Sequence, residues 1–479
     1  MIKKSTKVVA TIGPASDSKE VLTKLYASGM DVARLNFSHG SYEYFDTLIS
    51  TIREVSDELT ILLDTKGPEI RTGTMKDGGC TLEDGQTLEV TMDEVEGDTS
   101  ILTIHYKKLN ELEVGTKVLI DDGLLELEVI EKKEKGALLK VLNGGLLESK
   151  KTVSLQGHVA ELDFISPKDK EDILYGIKQD VDVVAASFVR SPQDLKELRE
   201  LLNSNGGEHI LIVSKIEHPL AVENIDEIIE LSDGIMVARG DLGVEVPLYK
   251  VPEIQEQIIR KCNLKGKPVI VATQMLESMK SNPRPTRAEV NDVAQAIMQG
   301  SDAVMLSGET ASGKYPVQAV KMMSQIANNY DPIVIEKAHV RNKHYFTGFK
   351  HSISTFITKS AYEASYNLPV SALLIPTESG FSARQVSKFR PGCPIYALAY
   401  SKRIMRQLNL SWGVNPILND DTSTQPKELI HHSIVKCYND KLISKEDKVV
   451  VTAGHILRDS GHSNILEVFN VKDVLDSVK

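Results

Sequence analysis

A parallel (β/α)8 barrel carrying an inserted antiparallel β segment, followed by a separate α/β domain, is the fold this sequence predicts, on three observations. Eight short β-branched runs alternate with amphipathic helical stretches between residue 1 and about residue 335. A block from 72 to 163 breaks that alternation with strand-like segments and Gly- and Asp-rich turns. Beyond a polar connection, strand and helix patterns alternate again up to the C-terminal lysine, Lys479.

The eight runs are KVVATIG (7–13), DVARLNFS (31–38), LTILLDT (59–65), VDVVAASF (181–188), HILIVSKIE (209–217), SDGIMVARGD (232–241), KPVIVATQ (267–274) and SDAVMLSGET (301–310). Continuous apolar strands separated by helices indicate a parallel sheet covered on both faces. Eight such units in a row favour closure into a TIM-type barrel; an open doubly wound sheet is the alternative that the pattern alone leaves. The barrel is expected over 1–71 and 164–335.

The inserted block contains TLEVTM, ILTI, KVLIDDGLLELEVIE and ALLKVL. Their period of two, with turn residues between, reads as antiparallel β structure. Because it leaves from a loop after the third strand, the 72–163 segment is expected at the C-terminal mouth of the barrel, where active sites of this architecture lie, and reads as a lid. After the connection YDPIVIEKAHVRNKHYFTGFK, residues 345–479 read as an α/β domain of regulatory or assembly character, with no cluster of polar strand ends.

Composition narrows the function. A chain of 479 residues, 41% of them hydrophobic, holds about three domains with ordinary cores. The net charge of −11 and the scattered basic residues disfavour a nucleic-acid or membrane-surface partner. Cys80, Cys262, Cys393 and Cys437 lie far apart with no CxxC pair, against a disulfide framework or a thiolate zinc site, and read as buried free thiols. The start MIKKSTKVVATIG runs directly into a strand, and no segment approaches a membrane span. The expected location is cytoplasmic.

The chemistry gathers at strand C-termini, which converge on one mouth of a parallel barrel. The second run ends in Arg34, Asn36 and Ser38, spaced by two and so on one face. The third ends in Asp64 and Thr65, followed by KGPEIR; the fifth in Lys215, Ile216 and Glu217; the sixth in Arg239, Gly240 and Asp241; the seventh in Thr273 and Gln274; the eighth in Glu309 and Thr310. Glu217 and Asp241 offer two hard oxygen ligands and leave the rest of an octahedron to water and substrate phosphate, as Mg²⁺ sites for phosphoryl transfer do. Lys215 and Arg34 supply the positive charge that a transferring phosphoryl group needs, and Arg71 adds a further clamp. Taken alone, Glu309 reads as a residue that fills the barrel end. The segment ARGDLGVE opens a short helix whose free amides suit an anion. GETASGKY (308–315) has P-loop spacing, but Tyr315 stands where the metal-ligating Ser or Thr must be, so it is not one.

Several runs together resemble the pyruvate kinase family: ATIGPAS, ARLNFSHG, LLDTKGPEIRTG, VSKIE, DGIMVARGDLGVE, VATQMLESM, PTRAEVNDVAQAI and DAVMLSGETASGKYP. They are spread in order over the whole barrel, and the resemblance extends, more weakly, into the lid and the C-terminal domain. It implies transfer of the phosphoryl group of phosphoenolpyruvate to ADP, giving pyruvate and ATP, with Mg²⁺ (or Mn²⁺) and K⁺ as cofactors.

Carried over motif by motif, the resemblance implies Glu217 and Asp241 as Mg²⁺ ligands, Lys215 as the stabiliser of the phosphoryl transition state and Arg34 as the phosphate holder. The backbone of Ala238, Arg239, Gly240 and Asp241, with the Thr273 hydroxyl, would hold the substrate carboxylate; Thr273 would also stand near the proton that reaches the enolate carbon. Asn36, Ser38, Asp64 and the Thr65 carbonyl would bind K⁺. In the family, Glu in the DTKGPE run accompanies dependence on a monovalent cation and Lys there accompanies independence, so Glu69 implies that K⁺ is needed; a bound cation and a tethered ammonium supply the same local charge.

Asn36, His39, Arg71 and Lys151 would face the nucleotide, with Lys150 the alternative to Lys151. The sequence also departs from the family pattern. KKTVSLQG has Thr152, Ser154 and Gln156 where Gly, Asn and Pro are usual, and HVAELDFISPKD replaces a more usual DLPAVTEKD. TAGHILRDSGHSN replaces a Pro- and Gly-rich effector loop, and Phe381 in TESGFS (377–382) stands where a basic residue is common. The resemblance implies a homotetramer with a phosphorylated allosteric effector at the C-terminal domain. A barrel lyase or mutase acting on phosphoenolpyruvate or pyruvate needs no nucleotide lid, and a non-enzymatic scaffold would have no reason to keep Lys215, Glu217, Asp241 and Thr273.

Overall fold

The structure is a computed structural model and describes residues 4–158, 160–345, 352–419, 426–454 and 463–477. Eight strands close into a barrel: β1 (Lys7–Ile12), β2 (Val32–Asn36), β3 (Thr60–Asp64), β4 (Val183–Ala186), β5 (Leu211–Ile216), β6 (Gly234–Ala238), β7 (Val269–Ala272) and β8 (Ala303–Leu306). Neighbours pair in parallel around the ring, and β1 pairs both β2 and β8. Each strand falls within one of the eight apolar runs. They read as unbroken runs because both faces are buried: one packs on the helices and the other fills the barrel with Val9, Val32, Leu62, Val213, Met236, Ile270 and Met305. Leu410, from beyond the barrel, joins this inner layer.

The inserted block leaves after β3 through Gly67. Its φ of +77° and the 2.7 Å approach of a Cβ at that position to Ser187 Cβ leave no room for a side chain. A seven-stranded sheet follows. Its two edges meet: Thr72 bridges Ile104, and the His105 amide donates to Arg71 O at 2.9 Å. One pairing departs from the antiparallel expectation, since Thr87–Thr91 and Ile101–Thr103 run parallel. Side-chain period shows that a segment is a strand but not the direction of its partner.

The segment expected as a polar connection is instead mostly helix: Pro316–Tyr345 is continuous, with Pro332 inside it. A mid-helix proline removes one backbone donor, and Asp-Pro reads in sequence as a stop. Here the helix carries on past it, with Val334 and Ala338 buried beyond. The C-terminal five-stranded sheet is parallel except at its last strand, Ile465–Asn470, which is antiparallel to Lys448–Ala453. Much of TAGHILRDSGHSN (455–462) lies outside the described residues. Among the four cysteines, all free, Cys262 and Cys437 are buried as expected, whereas Cys80 and Cys393 are half-buried. No helix among the described residues is long and apolar enough to cross a membrane.

The C-terminal sheet is joined to the N-terminal face of the barrel by buried charge. Arg390, fully buried, reaches Asp302 at 2.9 Å, Asn263 Oδ1 at 2.7 Å and Gly300 O at 2.7 Å. Arg406 reaches Asp182 at 2.6 Å, immediately before β4. The opposite face is left for the site.

Candidate active site

At the C-terminal mouth, Lys215 is the centre of a compact charge cluster. It lies on β5, next to β4 and β6 in the ring, with its side chain only 11% exposed. Its ammonium is 3.2 Å from Asp64 Oδ1, 2.9 Å from Glu217 Oε1 and 2.6 Å from Ser187 Oγ. Burial opposes this charge, but Asp64, Glu217 and Asp241 outweigh it and raise the Lys215 pKa above the ordinary lysine range. Arg34 stands across Asp64, donating through Nε to Asp64 Oδ2 at 2.6 Å and through a terminal nitrogen to Thr11 Oγ1 at 2.8 Å. Burial would raise the Asp64 carboxyl; Arg34 and Lys215 together hold it below its usual value.

Glu217 is fully buried. Its Oε2 accepts the Phe188 amide at 2.6 Å, while Oε1 faces Lys215 without hydrogen-bond geometry. Burial, and then the field of Asp241 against that of Lys215, push its carboxyl up to about 7. A buried carboxylate oxygen whose only close partner among the described residues is an ammonium, in the field of a second carboxylate, belongs to a pair of hard oxygen ligands suited to a divalent cation. Among the described residues, no three His, Cys, Asp or Glu side chains converge.

Asp241 belongs to the short helix Arg239–Glu245 that follows β6 directly. Three hydrogen bonds lock the start of this helix to the barrel. The Gly240 amide donates to Thr273 Oγ1 at 2.7 Å, and Arg239 donates to Asp292 at 2.7 Å and to Thr273 O at 2.8 Å. The Arg239 side chain is thus turned into the scaffold, and the mouth receives only its backbone. Thr273 itself stands at φ +71°, followed by Gln274 at +52°.

The residues read as a monovalent-cation set come together at the ends of β2 and β3. Asn36 is opposite Asp64 in the β2–β3 register, and the Phe37 amide donates to Asp64 O at 3.1 Å. Asn36 Oδ1 accepts the Ser38 amide at 3.1 Å, and the Thr65 carbonyl accepts Ser187 Oγ at 2.7 Å. His39 follows on the exposed turn. Arg71 is partly exposed, pinned by Glu69 Oε2 at 2.9 Å and by the Lys150 carbonyl at 2.8 Å. Lys151, within the lid, is held by Asp121 at 3.1 Å and Glu148 at 2.9 Å. Glu309 is structural in this geometry: its two oxygens accept the Leu276 and Ser307 amides at 3.1 Å and 2.7 Å.

Sequence reasoning passed over Ser187, Phe188, Thr11 and Asp292. The first two end the fourth run as Lys215 and Glu217 end the fifth, so the strand-end signal was present in VDVVAASF. Asp292 lies on the helix Arg287–Gln299, where no strand-end rule points.

Between the inserted sheet and this mouth runs a cleft of about 100 Å³, lined by Glu69, Thr152 and Ser154 on one side and by Phe188, Asp241 and Glu245 on the other.

Comparison with known proteins agrees with this architecture. The family model "Pyruvate kinase, barrel domain" matches residues 3–320, and "Pyruvate kinase, alpha/beta domain" matches residues 355–469. A pyruvate kinase of Sporosarcina psychrophila is 44% identical over 98% of this chain and 81% of its own length. One of Bacillus licheniformis is 46% identical with the same coverages of 98% and 81%. The crystal structure of a pyruvate kinase from Cryptosporidium parvum superposes with a TM-score of 0.92 at 36% identity, covering 98% of this chain and 96% of that one. With the barrel, the C-terminal α/β unit and the strand-end cluster all in place, the chain belongs to the pyruvate kinase family and is a phosphotransferase.

Proposed function

We propose that the reaction of this family, transfer of the phosphoryl group of phosphoenolpyruvate to ADP to give pyruvate and ATP at the last step of glycolysis, runs at the barrel mouth on the Lys215 cluster. The observation that carries this reading is the Lys215 ammonium, 11% exposed and bracketed by Asp64 at 3.2 Å and Glu217 at 2.9 Å, with Arg34 on the far side of Asp64.

In this reading Arg34 holds the substrate phosphate, and Lys215 meets the charge spread over the equatorial oxygens as the phosphoryl group leaves. Both are preorganised, because their partners are fixed before substrate arrives. Glu217 and Asp241 hold Mg²⁺ or Mn²⁺, which when bound neutralises phosphoryl and substrate oxygens. Asn36, Ser38, Asp64 and the Thr65 carbonyl take K⁺, and Glu69 marks the chain as dependent on it. The backbone from Ala238 to Asp241 and the Thr273 hydroxyl receive the substrate carboxylate. The P–O bond of the substrate breaks, the terminal ADP oxygen takes the phosphoryl group, and the enolate takes up a proton at carbon beside Thr273. His39, Arg71 and Lys151 face the nucleotide, the last from the lid.

The working units are the barrel over 1–71 and 164–335, the lid over 72–163 and a C-terminal unit over 345–479. The C-terminal unit takes a phosphorylated effector at Thr377–Ser382, where the Gly380 amide already donates to Thr377 Oγ1 at 2.9 Å. The enzyme works as a cytoplasmic homotetramer. Lys215→Arg tests the assignment, since it keeps the buried charge but not the compact ammonium. It is expected to lower kcat by about 10²- to 10³-fold; a variant within about threefold of the parent chain contradicts the role given to Lys215.

A further inference from the structure

We infer that the lid strand Thr152–Gln156 is a strut that fixes the nucleotide-side cations against the helix bearing Asp241, with Ser154 and Gln156 as the positioning residues. The inference rests on the reaction and the site assignments proposed above. The strand alternates as a half-buried strand must: Val153 and Leu155 are 7% and 4% exposed in the lid core, so Ser154 and Gln156 face the other way. Both reach across the cleft. Ser154 Oγ donates to Glu245 Oε1 at 2.6 Å, and Gln156 Nε2 donates to Val244 O at 2.9 Å. Both acceptors belong to Arg239–Glu245, the helix whose first turn holds Gly240 and Asp241.

The other end of the same strand organises the nucleotide side. Thr152 is opposite Arg71 and Val153 opposite Ile70 in an antiparallel pairing, and the Thr72 amide donates to Lys151 O at 2.8 Å. Lys151 directly precedes the strand, and its ammonium is held by lid carboxylates, Asp121 and Glu148. The positions of Arg71 and Lys151 are therefore set by this ladder, and two side-chain hydrogen bonds set the ladder against the metal-side helix.

Neither Ser154 nor Gln156 is placed to touch the reacting atoms; they act through Arg71, Lys151 and the helix. Their loss should be felt on one substrate only. The helix keeps its own locks to the barrel through Gly240–Thr273 and Arg239–Asp292, so the phosphoenolpyruvate side stays in place when the lid is released.

The test is steady-state kinetics of the full-length Ser154→Ala/Gln156→Ala variant, with each substrate varied in turn. The expected result is a five- to tenfold rise in KM for ADP with KM for phosphoenolpyruvate unchanged within about twofold, and recovery of the Ser154→Ala part of the effect in Ser154→Thr, which restores the hydroxyl. Retention of KM for ADP within about twofold overturns the strut. So does a parallel rise in both KM values accompanied by a lowered melting temperature, which is the mark of a merely structural role. A parent chain that makes no pyruvate overturns the assigned reaction and the strut with it, and is told apart from the other outcomes by the parent assay alone.

Discussion

Thr273 Oγ1 accepts the Gly240 amide at 2.7 Å from a backbone held at φ +71°. A β-branched residue in the left-handed region is strained, at a cost of about 1–3 kcal/mol, and such strain persists where the surrounding structure fixes it. The same hydroxyl donates to Ala272 O at 2.6 Å, so its orientation at the mouth is set from two sides.

Strain and function should therefore separate on substitution. Thr273→Gly relieves the backbone but takes the acceptor from the Gly240 amide, so the two effects offset and the melting temperature is expected to stay near that of the parent while kcat falls by about 10²-fold. Thr273→Ser, which keeps the hydroxyl, is expected to stay within about tenfold of the parent. Thermal unfolding and kcat measured on the same samples check both, and a destabilised but fully active glycine variant contradicts the account.

Arg390 makes the opposite prediction, stability without chemistry. It is buried with Asp302 at 2.9 Å and donates to Asn263 and Gly300 across the barrel and C-terminal seam. Arg390→Met leaves Asp302 buried without its main partner, and is expected to cost about 3–5 kcal/mol in denaturant unfolding. Arg390→Lys is expected to recover little of that loss, because one ammonium cannot reproduce the planar fork. A loss below about 1 kcal/mol for the methionine variant would contradict the seam's dependence on this charge.

The pH dependence of stability follows from Lys7, whose ammonium is buried beside Val414 O at 2.7 Å. Burial brings its pKa down to about 8, in spite of the carboxylates of Asp31 and Asp331 and with a small further push from Lys4. The folded value lies below the unfolded one, so between about pH 8 and the ordinary lysine range the unfolded chain holds a proton that the native chain has released. Stability then rises with pH over that window, by on the order of 3 kcal/mol for a single group. Lys388, lowered to about 8 by burial alone, adds a second contribution of the same sign. The thiols of Cys262, Cys393 and Cys437, which burial pushes up, act in the opposite sense over the same window, so the test is the difference between two chains. Between pH 7.5 and 9.5 the melting temperature of the parent is expected to gain on that of Lys7→Met as pH rises, and equal slopes contradict the assignment.

How far the sequence displayed this molecule depends on what each residue has to do. The barrel strands were legible because burial on two faces leaves an apolar run of strand length, and Lys215, Glu217 and Asp64 were legible because polar side chains ending such runs have one place to go. Ser187 was passed over because a small neutral side chain at a strand end reads as filler, although its hydroxyl joins Lys215 to Thr65. Asp292 approaches Arg239 from a helix surface, where a carboxylate ordinarily meets solvent. The helix through Pro332 was hidden by Asp-Pro, a local stop signal that burial of Val334 and Ala338 overrides.

The lid shows the same division. Its strands follow from alternation, whereas the hydrogen bonds of Ser154 and Gln156 to Glu245 and Val244 join residues about ninety positions apart, and nothing in either local pattern announces the other.

The most direct test of the central claim is a coupled assay of pyruvate formation from phosphoenolpyruvate and ADP, run with Mg²⁺ and K⁺, without the divalent ion, and with K⁺ replaced by a large organic cation. The account predicts rapid pyruvate release only when both ions are present, with collapse on removal of either. Activity that persists without K⁺ would contradict the role given to Glu69 and the Asn36–Asp64 pair, and no pyruvate under any of the three conditions would contradict phosphoryl transfer at the Lys215 cluster itself.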